Sequence, residues 1–250
     1  MYKKNEYRVR ENRRIAAEIY RMVLEGDTTY LTAPGQFVNL KLDGLYLRRP
    51  ISVCDWDSSS MKLIYKTVGR GTEQMSRMLP GEKLDVLTGL GNGFDLGAVK
   101  PGQTAALVGG GVGVPPLYAL AKALLKKGVR VLVVLGFNEA SQIFYQKEFE
   151  ALGAEVIVTT ADGSAGVRGF VTDALCTLDF SYYYACGPEP MLRALHELGV
   201  RKNVTGELSF EARMGCGFGA CMGCSCQTLT GNKRICVEGP VMKSGEVMLG

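Results

Sequence analysis

The run MGCGFGACMGCSC, residues 214–226, places four cysteines and four glycines in thirteen positions. A stretch this poor in bulky side chains cannot bury a core of its own, so sulfur chemistry must order it. Three structures use sulfur this densely: a disulfide knot, a zinc staple and an iron–sulfur cluster. The N-terminus, Met1-Tyr2-Lys3-Lys4-Asn5, is charged but has no apolar stretch behind it, so no signal peptide is expected. No segment reaches the roughly 18 uninterrupted apolar residues of a membrane span. A cytoplasmic chain is therefore expected, and disulfides are rare in that compartment. Of the eight cysteines, five (Cys216, Cys221, Cys224, Cys226 and Cys236) fall in the last 35 residues. A disulfide framework would spread them over the fold, whereas clustering points to a metal centre.

Spacing narrows the metal. Cys216, Cys221 and Cys224 read C-x4-C-x2-C, and Cys236 follows twelve residues later. This is the plant-type [2Fe–2S] spacing. Structural zinc sites more often use two separated C-x2-C knuckles, and only Cys221/Cys224 forms one. The cluster is the favoured reading and zinc stays as the alternative. Cys226 falls outside the ligand pattern and reads as a bystander. Cys54, Cys176 and Cys186 lie in apolar strand or helix contexts and read as small buried hydrophobes.

The rest of the 250 residues divides by periodicity. Residues 1–100 carry short alternating segments such as GQFVNLKL, RRPISVCDW and MKLIYKTVG, separated by turn signals at Ala33-Pro34-Gly35, Leu42-Asp43-Gly44 and Leu79-Pro80-Gly81. That pattern predicts a small antiparallel barrel. Residues 101–205 alternate buried strands (TAALVGG, VRVLVVLGF, AEVIVTTADG, SYYYACG) with helices (PPLYALAKALLKKG, SQIFYQKEFEALG, EPMLRALHELGV). This predicts βαβ units and a parallel sheet, with ligands at the carboxyl ends of its strands. Residues 206–250 form the short Gly- and Cys-rich tail. The net charge of +4 is mild, and pairs such as Lys126-Lys127 and Arg13-Arg14 read as solvated faces, so nucleic acid is not an expected partner.

LVGGGVGVPPL follows a strand and opens a helix. Its glycines, among them Gly109, Gly111 and Gly113, permit the tight turn and free amides that hold a pyrophosphate. CGPEPML, with Cys186, Gly187 and Pro188, ends a later strand of the same segment, where a nicotinamide ring would lie. On a barrel strand, Arg49 and Ser52 of RRPIS offer charge and hydroxyl to a flavin pyrophosphate, and Gly71 and Thr72 of VGRGT offer amides and a second hydroxyl. After the second strand of the α/β segment stand Asn138 and Glu139 rather than an arginine, which favours NAD over NADP. The one histidine, His196, sits in LRALHELGV, and no nucleophile–base pair stands out, so no catalytic acid or base is expected. Flavin and cluster chemistry needs placement and tuned potentials instead.

Taken together, R-x-x-S, G-x-G-x-x-P and C-G-P resemble the ferredoxin–NADP reductase superfamily. The order RPIS, GRGT, GLGNGF, GGGVGVPP, CGPEPM, then the cysteine loop and CVEGPVM, resembles the electron-transfer subunits of class 1B dihydroorotate dehydrogenases over nearly the whole chain. The resemblance implies an FAD-binding barrel, a Rossmann-like NAD domain and a small C-terminal [2Fe–2S] domain. It implies FAD on Arg49, Pro50, Ile51, Ser52, Ile64, Tyr65, Lys66, Gly71 and Thr72, and the cluster on Cys216, Cys221, Cys224 and Cys236. It also implies an FMN-containing catalytic partner, assembled as two plus two subunits, whose electrons cross the cluster and FAD to NAD⁺ in pyrimidine synthesis. Flavin/cluster subunits of sulfide dehydrogenases, transhydrogenases and hydrogenases share the general motif set. A zinc-stapled nucleotide-binding regulator is the reading from outside redox chemistry, and it would be colourless.

Overall fold

The computed structural model describes residues 2–247. Six strands close the first half into an antiparallel barrel: β1 (Lys3–Ala16), β2 (Ile19–Glu25), β3 (Phe37–Leu40), β4 (Arg49–Trp56), β5 (Ser60–Lys66) and, after the short helix α1 (Arg70–Ser76), β6 (Lys83–Leu90), in the order β1-β2-β5-β4-β3-β6. The alternation of the sequence drives this closure. Tyr7, Val9, Met22, Leu24, Val38, Leu40, Val53, Leu63 and Val86 point inward and are buried, while the basic residues between them face water. Strand β4 departs from the ladder in one place. It pairs with β3 from Arg49 to Ser52 but meets β5 only from Val53 onward. Pro50, which has no N–H to donate, is tolerated there, and the wall is left open beside Arg49–Ser52.

The second half is a seven-stranded sheet. Its strands are β7 (Thr104–Gly110), β8 (Arg130–Phe137), β9 (Glu155–Thr160), β10 (Val167–Arg168), β11 (Tyr182–Cys186), β12 (Gly206–Ser209) and β15 (Val241–Lys243), ordered β10-β9-β8-β7-β11-β12-β15. All pairings are parallel except β12–β15. Strand β7 alternates between two cores. Ala105 and Leu107 face helices α2 (Pro116–Lys126) and α3 (Gln146–Ala151), while Ala106 and Val108 face α4 (Val171–Leu175) and α5 (Glu189–Lys202). A parallel sheet covered on both faces needs apolar residues on both, hence the continuous runs of the sequence. Strands β8 to β10 lie on one side of β7 and β11 lies on the other, so the chain reverses at the carboxyl ends of β7 and β11. That is where such sheets open a ligand crevice.

Barrel and sheet share one core. Ile19, Cys54 and Ile64 of the barrel pack into the cluster formed by Leu117, Leu120, Ala121 and Leu124 of α2. Above it the buried carboxylate of Asp55 accepts from Lys62 and, across the junction, from Lys122, both at 3.2 Å.

The tail departs from a simple third unit. Strands β12 and β15 lie beyond the residue 206 boundary read from periodicity, yet both belong to the α/β sheet. Four- and three-residue strands are too short to show a period. Between them residues 210–240 leave the sheet, form the hairpin β13 (Ser225–Thr228) and β14 (Gly231–Arg234), and return. Asn92 of GNGF clamps the return. Its side-chain amide donates to the carbonyls of Glu238 (3.1 Å) and Val241 (2.7 Å), its Oδ1 accepts from Val241 N (3.0 Å), and its own N–H donates to Gly239 O (2.7 Å). Gly91 beside it has φ +71°, and a Cβ there would stand 2.6 Å from Pro240 Cδ.

Two local expectations are corrected. SQIFYQKEFEALG is not one helix: a 3-10 turn at Ala140–Gln142 precedes α3, and Tyr145 between them takes φ +66°. Adjacent Phe144 and Tyr145 are both buried, against Phe137 and Tyr118 respectively, and the left-handed backbone at Tyr145 separates the 3-10 segment from α3. Cys176, read as buried, is exposed where α4 ends; Cys54 and Cys186 are buried. Asn92→Ala removes three side-chain hydrogen bonds that hold the tail. Urea unfolding of the variant is expected to show a loss of about 2–4 kcal/mol, with the barrel and sheet still formed.

Candidate functional site

A cleft of about 340 Å³ opens where β4 leaves its ladder, lined by Arg49, Pro50, Ile51, Ser52, Ile64, Tyr65, Lys66 and Thr72 of the barrel. Cys186 closes it from the sheet, and Phe210, Glu211, Ala212 and Met214 close it from the tail. Gly71 is not on the wall. A Cβ at Gly71 would collide with Arg49 Nε, so this glycine lets the guanidinium lie across the start of α1. Arg49 donates only to backbone carbonyls, of Leu47 and Arg48, and among the described residues it makes no ion pair. A half-buried guanidinium without a carboxylate fits an anionic group such as a flavin pyrophosphate. The Thr72 hydroxyl is engaged in the turn, accepting from Val68 N (2.8 Å) and donating to Gly69 O (3.1 Å). What α1 presents at its start is backbone N–H.

Glu211 carries no motif and was invisible to sequence reasoning. It is the one carboxylate lining this cleft. Burial of its carboxyl against the cleft walls raises its pKa, although the side chain is exposed on the open side of the cleft. Cys186, fully enclosed, has its thiol pushed up to about 12 by burial, with the Glu211 charge adding to the effect. It is a neutral wall at ordinary pH.

The second cleft, about 410 Å³, lies on the other side of the C-G-P turn. Its walls include Gly110, Gly111, Asn138, Gln142, Thr159, Ala161, Phe170, Pro188 and Met191, with no lysine or arginine among the lining residues. Gly111, at φ +52°, is on the wall. Gly109 and Gly113 work beneath it: Cβ atoms there would crowd Val114 and collide with the Cys186 carbonyl. Gly187 gives Met191 room, since a Cβ there would lie 2.6 Å from its Cε. Cys186 therefore faces the flavin cleft and Pro188 the nucleotide cleft, one residue of backbone between them. Thr159 Oγ1, buried on the nucleotide wall, has no hydrogen-bond partner in the protein. An orphaned hydroxyl in an uncharged cleft at the switch point fits a dinucleotide, and the missing cations fit NAD rather than a 2′-phosphate.

The cysteine loop sits against the barrel. The Asn39 side-chain amide donates to Cys216 O (3.1 Å), and a Cβ at Gly217 (φ +77°) would strike that amide. The sulfurs are associated in pairs. Cys216 N donates to Cys221 Sγ (3.4 Å), and Cys236 N donates to Cys224 Sγ (3.4 Å). Ala220 N adds a donor to Cys216 Sγ at 3.2 Å. Burial works against ionising Cys216, but amides of Phe218, Cys221 and Ala220 outweigh it and bring the thiol down to about 6. Burial and the Cys224 sulfur push Cys236 up to about 12, and a cation between the two is what would ionise both. Among the described residues no three such groups gather as ligands of one ion. Two pairs of thiols with amide donors fit a two-iron group held by four cysteines. Cys226 packs against the same apolar cluster as the inner pair, its sulfur 4.0 Å from Met242 Sδ. The inner pair, Cys224 and Cys236, is buried with Phe37, Phe210, Ala212 and Met214, which also wall the flavin cleft. Cys221, of the outer pair, is exposed.

A flavin-type barrel, a nucleotide sheet and a cysteine loop meeting around one pair of clefts define a ferredoxin-reductase-like flavoprotein with an added iron–sulfur lobe. Residues 211–248 match the iron–sulfur cluster binding domain of dihydroorotate dehydrogenase B, and residues 107–197 match the oxidoreductase NAD-binding domain. The chain belongs to the family of dihydroorotate dehydrogenase B (NAD(+)) electron transfer subunits. It is 47% identical to the one from Geobacillus sp. (strain WCH70) over the full length of both chains. It is 46% identical to that of Bacillus velezensis, over 99% of this chain and all of the relative. Among solved structures, an NADH-dependent reduced ferredoxin–NADP oxidoreductase superposes with TM-score 0.88 at 29% identity, over 97% of this chain and 90% of that one. A cytochrome P450 reductase from Amycolatopsis, at TM-score 0.70 and 21% identity over 80% of this chain and 66% of that one, shares the fold. Membership carries a catalytic partner subunit. Among the described residues no helix is long and apolar enough to cross a membrane.

Gly71→Ala displaces the Arg49 guanidinium from the start of α1. FAD affinity is expected to fall by about tenfold or more, the loss of one charge-assisted hydrogen bond. Release of fluorescent flavin on dilution measures it, with cluster absorbance unchanged.

Proposed function

We propose that this subunit takes electrons one at a time from an FMN-containing catalytic partner that oxidises dihydroorotate, and delivers them as hydride to NAD⁺ in pyrimidine synthesis. The assembly is two catalytic and two electron-transfer subunits in the cytoplasm, a reducing compartment that suits eight thiols. One observation carries the reading. Phe37, Phe210, Ala212 and Met214 form a single apolar wall shared by the inner cysteine pair and the flavin cleft, and the C-G-P turn with the Gly111-Val112 turn lies between that cleft and the nucleotide crevice. When bound, the cluster supplies one-electron relay and FAD supplies the junction between single electrons and hydride.

The chain's own residues bind and aim. Cys216, Cys221, Cys224 and Cys236 hold the cluster. Arg49 and the amides at the start of α1 hold the flavin phosphates, while Pro50, Ile51, Ser52, Ile64, Tyr65 and Lys66 line the ring's cleft. Gly111 and Pro188 shape the nucleotide wall, and Gly109, Gly113 and Gly187 allow the close packing behind it. Two electrons become one hydride only with one proton, and Glu211, the one carboxylate lining the flavin cleft, would supply it. Its raised pKa keeps that proton to higher pH than an ordinary glutamate.

The test is anaerobic NADH formation from dihydroorotate and NAD⁺, with the catalytic partner alone and then with this protein. Activity only with both supports the conduit. Bound iron, sulfide and FAD without NADH removes the dihydroorotate assignment and points to a sulfide-dehydrogenase, transhydrogenase or hydrogenase partner. Cys221→Ala is expected to lose cluster absorbance and cut coupled turnover by at least about a hundredfold, since loss of a coordinating group removes the relay outright, while FAD stays bound. Glu211→Gln is expected to slow NADH formation and remove the corresponding limb of the pH–rate profile.

A further inference from the structure

Arg234 belongs to no motif and bonds no cysteine, yet it is fastened on every side. Its Nη2 and Nε reach Glu238 Oε1 (2.5 Å) and Oε2 (3.1 Å), and its backbone N–H donates to Glu238 Oε2 (2.7 Å). Its own carbonyl accepts from Val237 N (3.0 Å) and Glu238 N (2.9 Å). The remaining arm of the fork, Nη1, crosses to the cysteine loop and donates to Gly219 O at 2.9 Å. A two-point carboxylate pair fixes the plane of a guanidinium, so the third bond is aimed rather than incidental.

The carbonyl it grips is informative. Gly219 O and the Ala220 N–H belong to one rigid peptide plane and point in opposite directions. On the far side, that same Ala220 N–H donates to Cys216 Sγ at 3.2 Å. Gly219 stands at φ +95°, a conformation that glycine adopts freely and leaves freely. A Cβ there would lie 2.6 Å from Val237 Cγ2 and 3.3 Å from Arg234 Nη1, so the residue that admits the guanidinium is also the one least able to hold the peptide still. Arg234 supplies the missing constraint.

Resting on the cluster reading of the four cysteines, we propose that Arg234 is a positioning residue for the cluster's reduction potential: by holding the 219–220 peptide from its oxygen side, it keeps the Ala220 N–H on the Cys216 sulfur. Donors to ligand sulfur favour the reduced, more negative cluster and raise its potential. Glu238 acts one step further out, by fixing the guanidinium. Neither residue lines the flavin cleft.

The experiment is a redox titration of the full chain with FAD and cluster loaded, following the reduced cluster by electron paramagnetic resonance and the flavin optically in the same sample. Arg234→Ala, Arg234→Lys and Glu238→Gln are compared with the parent. Lysine keeps the charge but lacks the fork that serves Glu238 and Gly219 together. The expected result is a lower cluster potential in both Arg234 variants, a smaller shift of the same sign in Glu238→Gln, and an unmoved flavin potential. The coupling of one exchangeable proton to the reduced cluster weakens in parallel. Unchanged cluster potentials in the loaded variants overturn the proposal. So does a normal potential in Arg234→Lys with a fall in Arg234→Ala, which would make the charge alone responsible. Should Arg234→Ala fail to load, Arg234→Lys and Glu238→Gln decide between the same outcomes. Absence of iron and sulfide from the parent protein is a different failure, and it overturns the ligand assignment together with what rests on it.

Discussion

The antiparallel pairing of Val241–Lys243 with Gly206–Ser209 is the contact on which the arrangement of sites depends. It turns the cysteine lobe into an excursion that leaves one edge of the nucleotide sheet and returns to the same edge. A free tail carrying four thiols would sample many positions. Closed at its base, the excursion can only lie over the adjoining barrel, where Phe37, Leu87 and Leu90 receive Ile235, Cys224 and Cys236. Closing the loop also lowers the entropy to be overcome when the lobe orders. The Asn92 clamp completes the base by tying the return strand to the barrel's last turn.

With that base in place, proximity between the sites follows from shared walls rather than from any one residue. The tail residues that follow β12 wall the flavin cleft on one side and the inner cysteine pair on the other. The strand that ends at Cys186 walls the flavin cleft on one side and the nucleotide crevice on the other. Each partition is a thin layer of side chains or backbone turns. The sulfur pairs are unequal in a way that suits a relay: Cys224 and Cys236 are sealed in apolar surroundings, while Cys221 is open to whatever approaches from outside.

The glycine-rich stretches divide into two kinds of work. Gly111 lines a ligand wall, but Gly71, Gly109, Gly113 and Gly187 act by leaving space, for Arg49, Val114, the Cys186 carbonyl and Met191 in turn. A motif read as phosphate-binding is thus partly a packing motif that brings strand, turn and helix close enough for a few amides to face the crevice. GNGF shows the converse. The motif carries no chemistry of its own, and its asparagine is a mechanical latch.

Sequence alone settled the elements whose physics is local. Barrel alternation and two-sided apolar strands follow from side-chain periodicity and are readable residue by residue, while the C-x4-C-x2-C spacing with Cys236 proposes a ligand set from reach alone. What only the tertiary structure decided involves residues distant along the chain. Strands β12 and β15 are too short to carry a period and form because the edge of β11 needs a partner. Glu211 lines the flavin cleft only because the tail folds back over the barrel, and Arg234 reaches Gly219, 15 positions away, across a hairpin. The exposure of Cys176 and the break before α3 escape the local pattern for the same reason. Whether a side chain is covered depends on what packs over it, and a local pattern holds no record of that.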